Sequence, residues 1–169
     1  MNTPPVTCYF KRPEEIAPET LDQIRDLIRE GSGVGTSWVA ENLQKAFLIG
    51  YAECEGKVVG TSTHKYPKAA YRQKIEAAIG LDLSGYLERG YTAVKDDYRS
   101  SGIGGRLIRG LIDRSPGQKV YVTIRMDNTP PLKMTYKEGM MLAGTFINDR
   151  TGHQLGVFVN QPPAPKKGP

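Results

Sequence analysis

Apolar positions along this chain repeat with a period near four in some stretches and near two in others, and the switches between them mark out its elements. Residues 6–12 predict a short strand. Pro18 and Glu19 open a helix, because proline tolerates the first turn and an acid favours the positive end of the dipole. Leu21, Ile24, Leu27 and Ile28 then form a helical stripe that Gly31 closes. Residues 31–35 are glycine-rich and read equally well as the rim of a site or as a plain linker. A second helix is predicted from Thr36 or Ser37 to Lys45. Strands over 47–53 and 57–64 meet tightly through Glu55-Gly56, and Pro67 stops the second. Residues 68–79 read as a helix or an irregular insertion ended by Gly80, with a loop over 81–85.

The second half follows the same logic. Residues 86–95, rich in Tyr, Thr and Val, predict a strand. Residues 102–114 predict a helix whose apolar face is Ile103, Leu107, Ile108, Leu111 and Ile112. After a turn at 115–117, residues 119–126 alternate, with Val120, Val122, Ile124 and Met126 on one face. Asp127 or Asn128 can cap a short helix with Pro130-Pro131 in its opening turn and an end near Gly139. Strands over 141–148 and 153–160 pair across 149–152. Hairpins mixed with crossover helices imply an α/β fold with a mixed sheet. Residues 1–160 read as one domain. Residues 161–169, with four prolines and two lysines, read as a disordered tail.

Composition narrows the function. Over 169 residues, 38% are hydrophobic and 24% charged, as in a folded globular chain. No apolar run approaches the roughly 20 residues that span a bilayer, and the first residues lack a signal-peptide pattern, so a cytoplasmic protein without membrane partners is expected. Cys8 and Cys54 read as structural thiols, and His64 and His153 as packing or surface residues, so no metal is expected. The net charge of +5 suits an anionic partner. The basic residues are dispersed and not interleaved with aromatics on one strand face, which disfavours nucleic acid.

The densest chemistry lies in Val94-Lys95-Asp96-Asp97-Tyr98-Arg99-Ser100-Ser101-Gly102-Ile103-Gly104-Gly105-Arg106. A strand ends, a turn follows, and a helix starts among glycines. A helix start leaves four backbone N–H groups unpaired and carries about half a positive charge. Glycines let a bulky anion approach, and Arg99 and Arg106 add planar cationic donors. The combination suits a diphosphate. A nucleotide P-loop needs Gly-Lys-Ser or Gly-Lys-Thr, which Gly105-Arg106-Leu107 lacks. A dinucleotide fingerprint needs a different glycine spacing and a second βαβ half.

Arg99-x-x-Gly102-x-Gly104 resembles the acyl-CoA signature of the GNAT N-acetyltransferase superfamily. Its surroundings agree: Glu88-x-Gly90-Tyr91 on the preceding strand, Arg125-x-Asp127-Asn128 after the following one, and Tyr136-Lys137-x-Gly139 on the next helix. Gly139 is followed by Met140 where the family usually has Phe. The resemblance covers residues 6–160 and implies a mixed, mostly antiparallel sheet of six to seven strands flanked by helices. It also implies direct attack of an amine on the thioester of acetyl-CoA, the co-substrate.

Under this resemblance Arg99, Ser100, Ser101, Gly102, Ile103, Gly104, Gly105 and Arg106 hold the pyrophosphate, and Thr92, Ala93 and Val94 pair with pantetheine through their backbones. A backbone N–H near Val94 is the candidate oxyanion donor. Glu88 is the candidate general base through water, or else a surface glutamate at a strand start. Tyr136 is the candidate acid for the CoA thiolate, or an aromatic covering its sulfur. Asn128 either bonds the cofactor or caps its helix, and Asp96 and Asp97 are turn residues. The acceptor is expected to be a small or amino-acid-like amine flanked by residues 31–38 and 66–86. An acyl-CoA-binding domain without catalysis is the alternative, and a homodimer is left open.

Overall fold

The computed structural model of the chain describes residues 4–32 and 38–168. The start predicted for the second helix, with most of the glycine-rich segment, lies outside the described residues. The strands form one mixed sheet, in the order β1 (Thr7–Lys11), β2 (Leu48–Cys54), β3 (Lys57–Lys65), β4 (Leu87–Val94), β5 (Val120–Arg125), β7 (Gln154–Val159) and β6 (Met141–Ile147). Five helices accompany them among the described residues. By its contacts the chain divides into two compact units, Met1–Tyr66 with Arg89–Pro116 and Pro67–Glu88 with Gly117–Pro169.

The first unit contains β1 (Thr7–Lys11), β2 (Leu48–Cys54), β3 (Lys57–Lys65) and most of β4 (Leu87–Val94), with helices α1 (Pro18–Ser32), α2 (Val39–Gln44) and α4 (Ile103–Asp113). β1 and β2 run antiparallel, as do β2 and β3. Glu55 and Gly56 have φ of 51° and 77°, the pair of positive angles that matches a two-residue hairpin turn to strand twist. Period two sends alternate side chains of β2 to opposite faces. Ile49 and Tyr51 join Ile24, Leu27, Ile28, Val39 and Leu43 of α1 and α2. Ala52 and Cys54 join Ile103 and Leu107 of α4. Gly110 explains how α4 lies so near β1: a Cβ there would stand 2.0 Å from the Phe10 ring.

One strand of this unit breaks the apolar rule. Thr61, Ser62, Thr63 and His64 of β3 are all buried. Thr61 donates to the Gly50 carbonyl at 2.8 Å, Ser62 Oγ lies 2.8 Å from Thr92 Oγ1, and His64 Nδ1 lies 3.1 Å from Ser115 Oγ. His64 Nε2 finds no hydrogen-bond partner among the described residues. Burial, aided by the Arg89 charge, lowers the His64 pKa to about 4. The folded state thus refuses a proton that the unfolded chain accepts near pH 6.5. Stability from this group is complete above pH 6.5 and is lost as pH falls toward 4. Urea titrations should show the parent losing about 2 kcal/mol more than His64→Asn between pH 7 and pH 4.5. Equal losses would mean that His64 does not set the acid sensitivity.

The second unit contains α3 (Ala69–Ile79), the start of β4, β5 (Val120–Arg125), α5 (Thr129–Lys137), β6 (Met141–Ile147) and β7 (Gln154–Val159). Of residues 68–79, left open between helix and insertion by sequence, Ala69–Ile79 are helical and end at left-handed Gly80 with φ 72°. β5 and β7 run antiparallel, as do β6 and β7, while Leu87 and Glu88 of β4 pair in parallel with Val120 and Tyr121. β5 is buried on both faces: Val122 and Ile124 pack with Met140 and Phe158, and Tyr121 packs with Ile75, Leu83 and Val157. α5 closes in a Schellman motif, with Gly139 N–H on the Tyr136 carbonyl and Met140 N–H on the Thr135 carbonyl. Residues 161–168, which composition reads as disordered, run beside residues 80–82. Asp82 N–H donates to the Ala164 carbonyl at 2.8 Å and Lys166 N–H to the Gly80 carbonyl at 3.0 Å. The tail thus uses the Ala164 carbonyl as acceptor and the Lys166 N–H as donor, neither of which a neighbouring proline removes, and composition alone cannot reveal this.

Candidate active site

The first unit supplies the end of β4 and the glycine arm. Tyr91 sits inside β4 with φ 54°, a left-handed conformation that a bulky residue adopts only under constraint. Two contacts hold it: Asn42 Nδ2 donates to Tyr91 Oη at 2.7 Å, and Lys65 Nζ stands 4.1 Å from the ring centroid. Such a kink in a strand takes backbone groups out of the ladder. It lies immediately before Thr92, Ala93 and Val94, the predicted pantetheine-binding residues. Ala93 and Val94 pack into the two separate cores of this unit, so what they can offer a ligand is backbone. Thr92 is exposed.

A single 3-10 turn over Asp96–Tyr98 leads to the arm. Ser100 and Gly102 take φ of 63° and 83°, reversing the chain into α4. The Ser101 hydroxyl donates to the Tyr98 carbonyl and braces the reversal. Arg106 N–H to the Gly102 carbonyl, at 3.0 Å, is the bond that opens the helix. The amides of Ile103, Gly104 and Gly105 precede it, the pattern of donors an anion needs. A Cβ at Gly102 or Gly105 would meet nothing within 4 Å, so the helix start is open. The Ile103 side chain, by contrast, is buried against Gly60, where a Cβ would come within 2.8 Å of it. It anchors the arm and leaves only its amide for a ligand. Arg99 is 65% exposed and ion-paired with Asp96 at 3.0 Å. Arg106 reaches the Val6 carbonyl at 3.4 Å, beside a cavity of about 360 Å³ lined also by Tyr98 and Ser101.

The second unit holds the other predicted residues. Glu88 is half-buried and accepts a hydrogen bond from Tyr121 Oη at 3.3 Å. Burial first, and then the Glu88 charge, raise the Tyr121 pKa well above that of a free phenol. Tyr71 of α3 is raised likewise by burial, with Thr123 bonded to it and Glu88 nearby. Tyr136 is 52% exposed, and its ring meets Phe158 edge-on at 5.3 Å. Asn128 occupies the N-cap position of α5 but makes no capping bond with its side chain. Asp127, the other candidate cap, is instead held by Arg125 through bonds of 3.0 and 2.8 Å.

A family model described as Acetyltransferase (GNAT) family matches residues 8–140. The chain belongs to this family. Its fold is also that of solved acetyltransferases. It resembles NAA60 of Arabidopsis thaliana in complex with acetyl-CoA, with a TM-score of 0.67 at 17% identity over 90% of this chain and 98% of that one. It resembles the ribosomal-protein-S18-alanine N-acetyltransferase from Escherichia coli, with a TM-score of 0.66 at 13% identity over 96% and 97%. A Bacillus cereus IAA acetyltransferase aligns with a TM-score of 0.61 at 16% identity over 92% and 98%. No curated protein sequence matches significantly.

Within this GNAT chain, sequence reasoning missed the part played by Tyr121; it placed Tyr91 only within the Glu88-x-Gly90-Tyr91 motif and Tyr71 only as lining or packing beside the acceptor, without their partners. Tyr91 gives one signal, a bulky residue directly after glycine late in a strand. Tyr121 and Thr123 can be placed on the face opposite Val122, but period two does not reveal which polar group they meet. Among the described residues no group of three or more His, Cys, Asp or Glu side chains is arranged to hold a metal, and no helix is long and apolar enough to cross a membrane.

Proposed function

We propose that this GNAT acetyltransferase moves an acetyl group from acetyl-CoA to the primary amine of a small or amino-acid-like acceptor by direct attack. The observation that carries this reading is the row of open amides at Ile103, Gly104 and Gly105, preceded by the left-handed turn at Ser100 and Gly102. These amides and Arg106 take the pyrophosphate of acetyl-CoA, and the backbone of Thr92, Ala93 and Val94 pairs with its pantetheine amides. Asn128, free of capping duty, contributes a further polar contact to the cofactor.

The chemistry balances simply. The amine nitrogen attacks the thioester carbonyl carbon, and its surplus proton passes to Glu88 through water. A backbone N–H near Val94 stabilises the oxyanion. The C–S bond then breaks, and Tyr136 protonates the departing thiolate. The products are the N-acetylated amine and free CoA. Trp38 and Tyr66, at 57% and 62% exposed, offer flat apolar surface to an acceptor. In sequence, residues 31–38 hold no acid and residues 66–86 only Glu76 and Asp82, too few for an acidic trough that would take a basic peptide, which favours a small acceptor.

A panel of amines assayed by thiol release tests the reading. Turnover should appear with at least one amine, and Tyr136→Phe should lower it about tenfold at pH 7. The loss is modest for proton transfer because a thiolate near pKa 8.5 leaves without much help. Tight acetyl-CoA binding with no turnover on any amine would favour a silent binding domain.

A further inference from the structure

The carboxylate proposed as base does not stand alone. Leu87 and Glu88 pair in parallel with Val120 and Tyr121, which sets Glu88 directly beside Tyr121 on neighbouring strands. Tyr121 is wholly buried, yet its hydroxyl reaches Glu88 Oε2 at 3.3 Å. A buried phenol needs a partner, and a partly exposed carboxylate has several rotamers to choose from. The bond therefore satisfies the buried phenol and gives the carboxylate a donor fixed by the core. Tyr71 of α3 packs in the same buried cluster as Tyr121. It is bonded to Thr123, two residues along β5 on the face that Tyr121 shares. The charged groups on α3 that bear on the tyrosines are Arg72 and Lys74. Arg72 is already paired with Glu76 at 3.1 Å, and Lys74 with Asp149 at 2.7 Å. Glu76 also accepts the Leu83 amide at 2.7 Å, which fixes α3 against the loop before β4.

We propose that Tyr121 is a positioning residue, which holds the Glu88 carboxylate in one orientation by a donated hydrogen bond, with Tyr71 and Thr123 walling that face of the strand pair. The inference rests on the assignment of Glu88 as base. It goes beyond that assignment by placing control of the base in β5 and α3, segments outside the glycine arm. A hydrogen bond donated to a carboxylate favours its charged form. Its removal by Tyr121→Phe keeps the ring and the packing, so the change falls on the carboxylate.

Two measurements on the full chain test this. In carbon NMR of glutamate-labelled protein, with the Glu88 signal assigned by its disappearance in Glu88→Gln, the Glu88 titration midpoint should rise by about one pH unit in Tyr121→Phe, since a hydrogen bond to a charged group contributes about that much. The acidic limb of the kcat/KM profile should rise by the same amount, with the acetyl-CoA melting shift unchanged. Tyr71→Phe should move both by less. An unmoved NMR midpoint overturns the inference whatever the activity does. A midpoint that moves while the acidic limb stays means Glu88 is not the base, and the positioning role falls with it. A parent chain that binds acetyl-CoA but turns over no amine removes the catalytic reading itself, a result recognisable because the NMR comparison is independent of turnover.

Discussion

Acetyl-CoA at about a hundred times its dissociation constant should raise the melting temperature of the parent chain by about 5–10 °C, and Arg99→Glu combined with Gly104→Glu should abolish the rise. The size follows from linkage: that excess of ligand adds about 2.7 kcal/mol, and each kcal/mol moves a chain of this length by about 2–4 °C. The loss follows from the arm. The amides of Ile103, Gly104 and Gly105 precede the first helical bond, from Arg106 N–H to the Gly102 carbonyl, and so lie together at the helix start. A carboxylate on Gly104 places negative charge where the diphosphate must sit, and the reversal at residue 99 adds a second. Folding should survive, because Arg99 is mostly exposed and its pair with Asp96 is a surface ion pair contributing under about 1 kcal/mol. The ligand-free melting temperature is thus the control. A variant that melts like the parent without ligand, yet still gains the full shift with it, would place the CoA diphosphate elsewhere.

The arm was legible in sequence because its information is local. Gly102 is required by its own φ, and the donors it exposes are backbone groups that any helix start possesses. The apolar faces of α1 and α4 were legible for the same reason, since helical spacing alone decides them. What escaped was set by partners distant in the chain. The strained φ of Tyr91 is held by Asn42, forty-nine residues away, and by Lys65. The bond between Tyr121 and Glu88 exists because β4 and β5 pair in parallel at one register. Asn128 shows the converse: its residue type suits capping, yet no capping bond forms, because the N2 and N3 positions of α5 are Pro130 and Pro131, which carry no N–H to donate.

Glu88→Gln should lower turnover of the best amine by about 10²-fold or more at pH 7 while leaving the acetyl-CoA melting shift in place. Glutamine keeps the shape of the side chain and can still accept the Tyr121 hydroxyl, so the local structure is retained. It cannot accept a proton. An aliphatic ammonium near pKa 10 is neutral in only about one molecule in a thousand at pH 7, so an enzyme without a base must wait for that fraction. Its rate should then climb about tenfold per pH unit toward the pKa of the amine, and the deficit against the parent should narrow as pH rises. That recovery separates loss of a base from loss of structure, which high pH does not repair. A variant within about threefold of the parent, with a parallel pH profile, would remove Glu88 from the chemistry. The base would then have to be sought in another residue, or the acceptor would have to arrive already neutral.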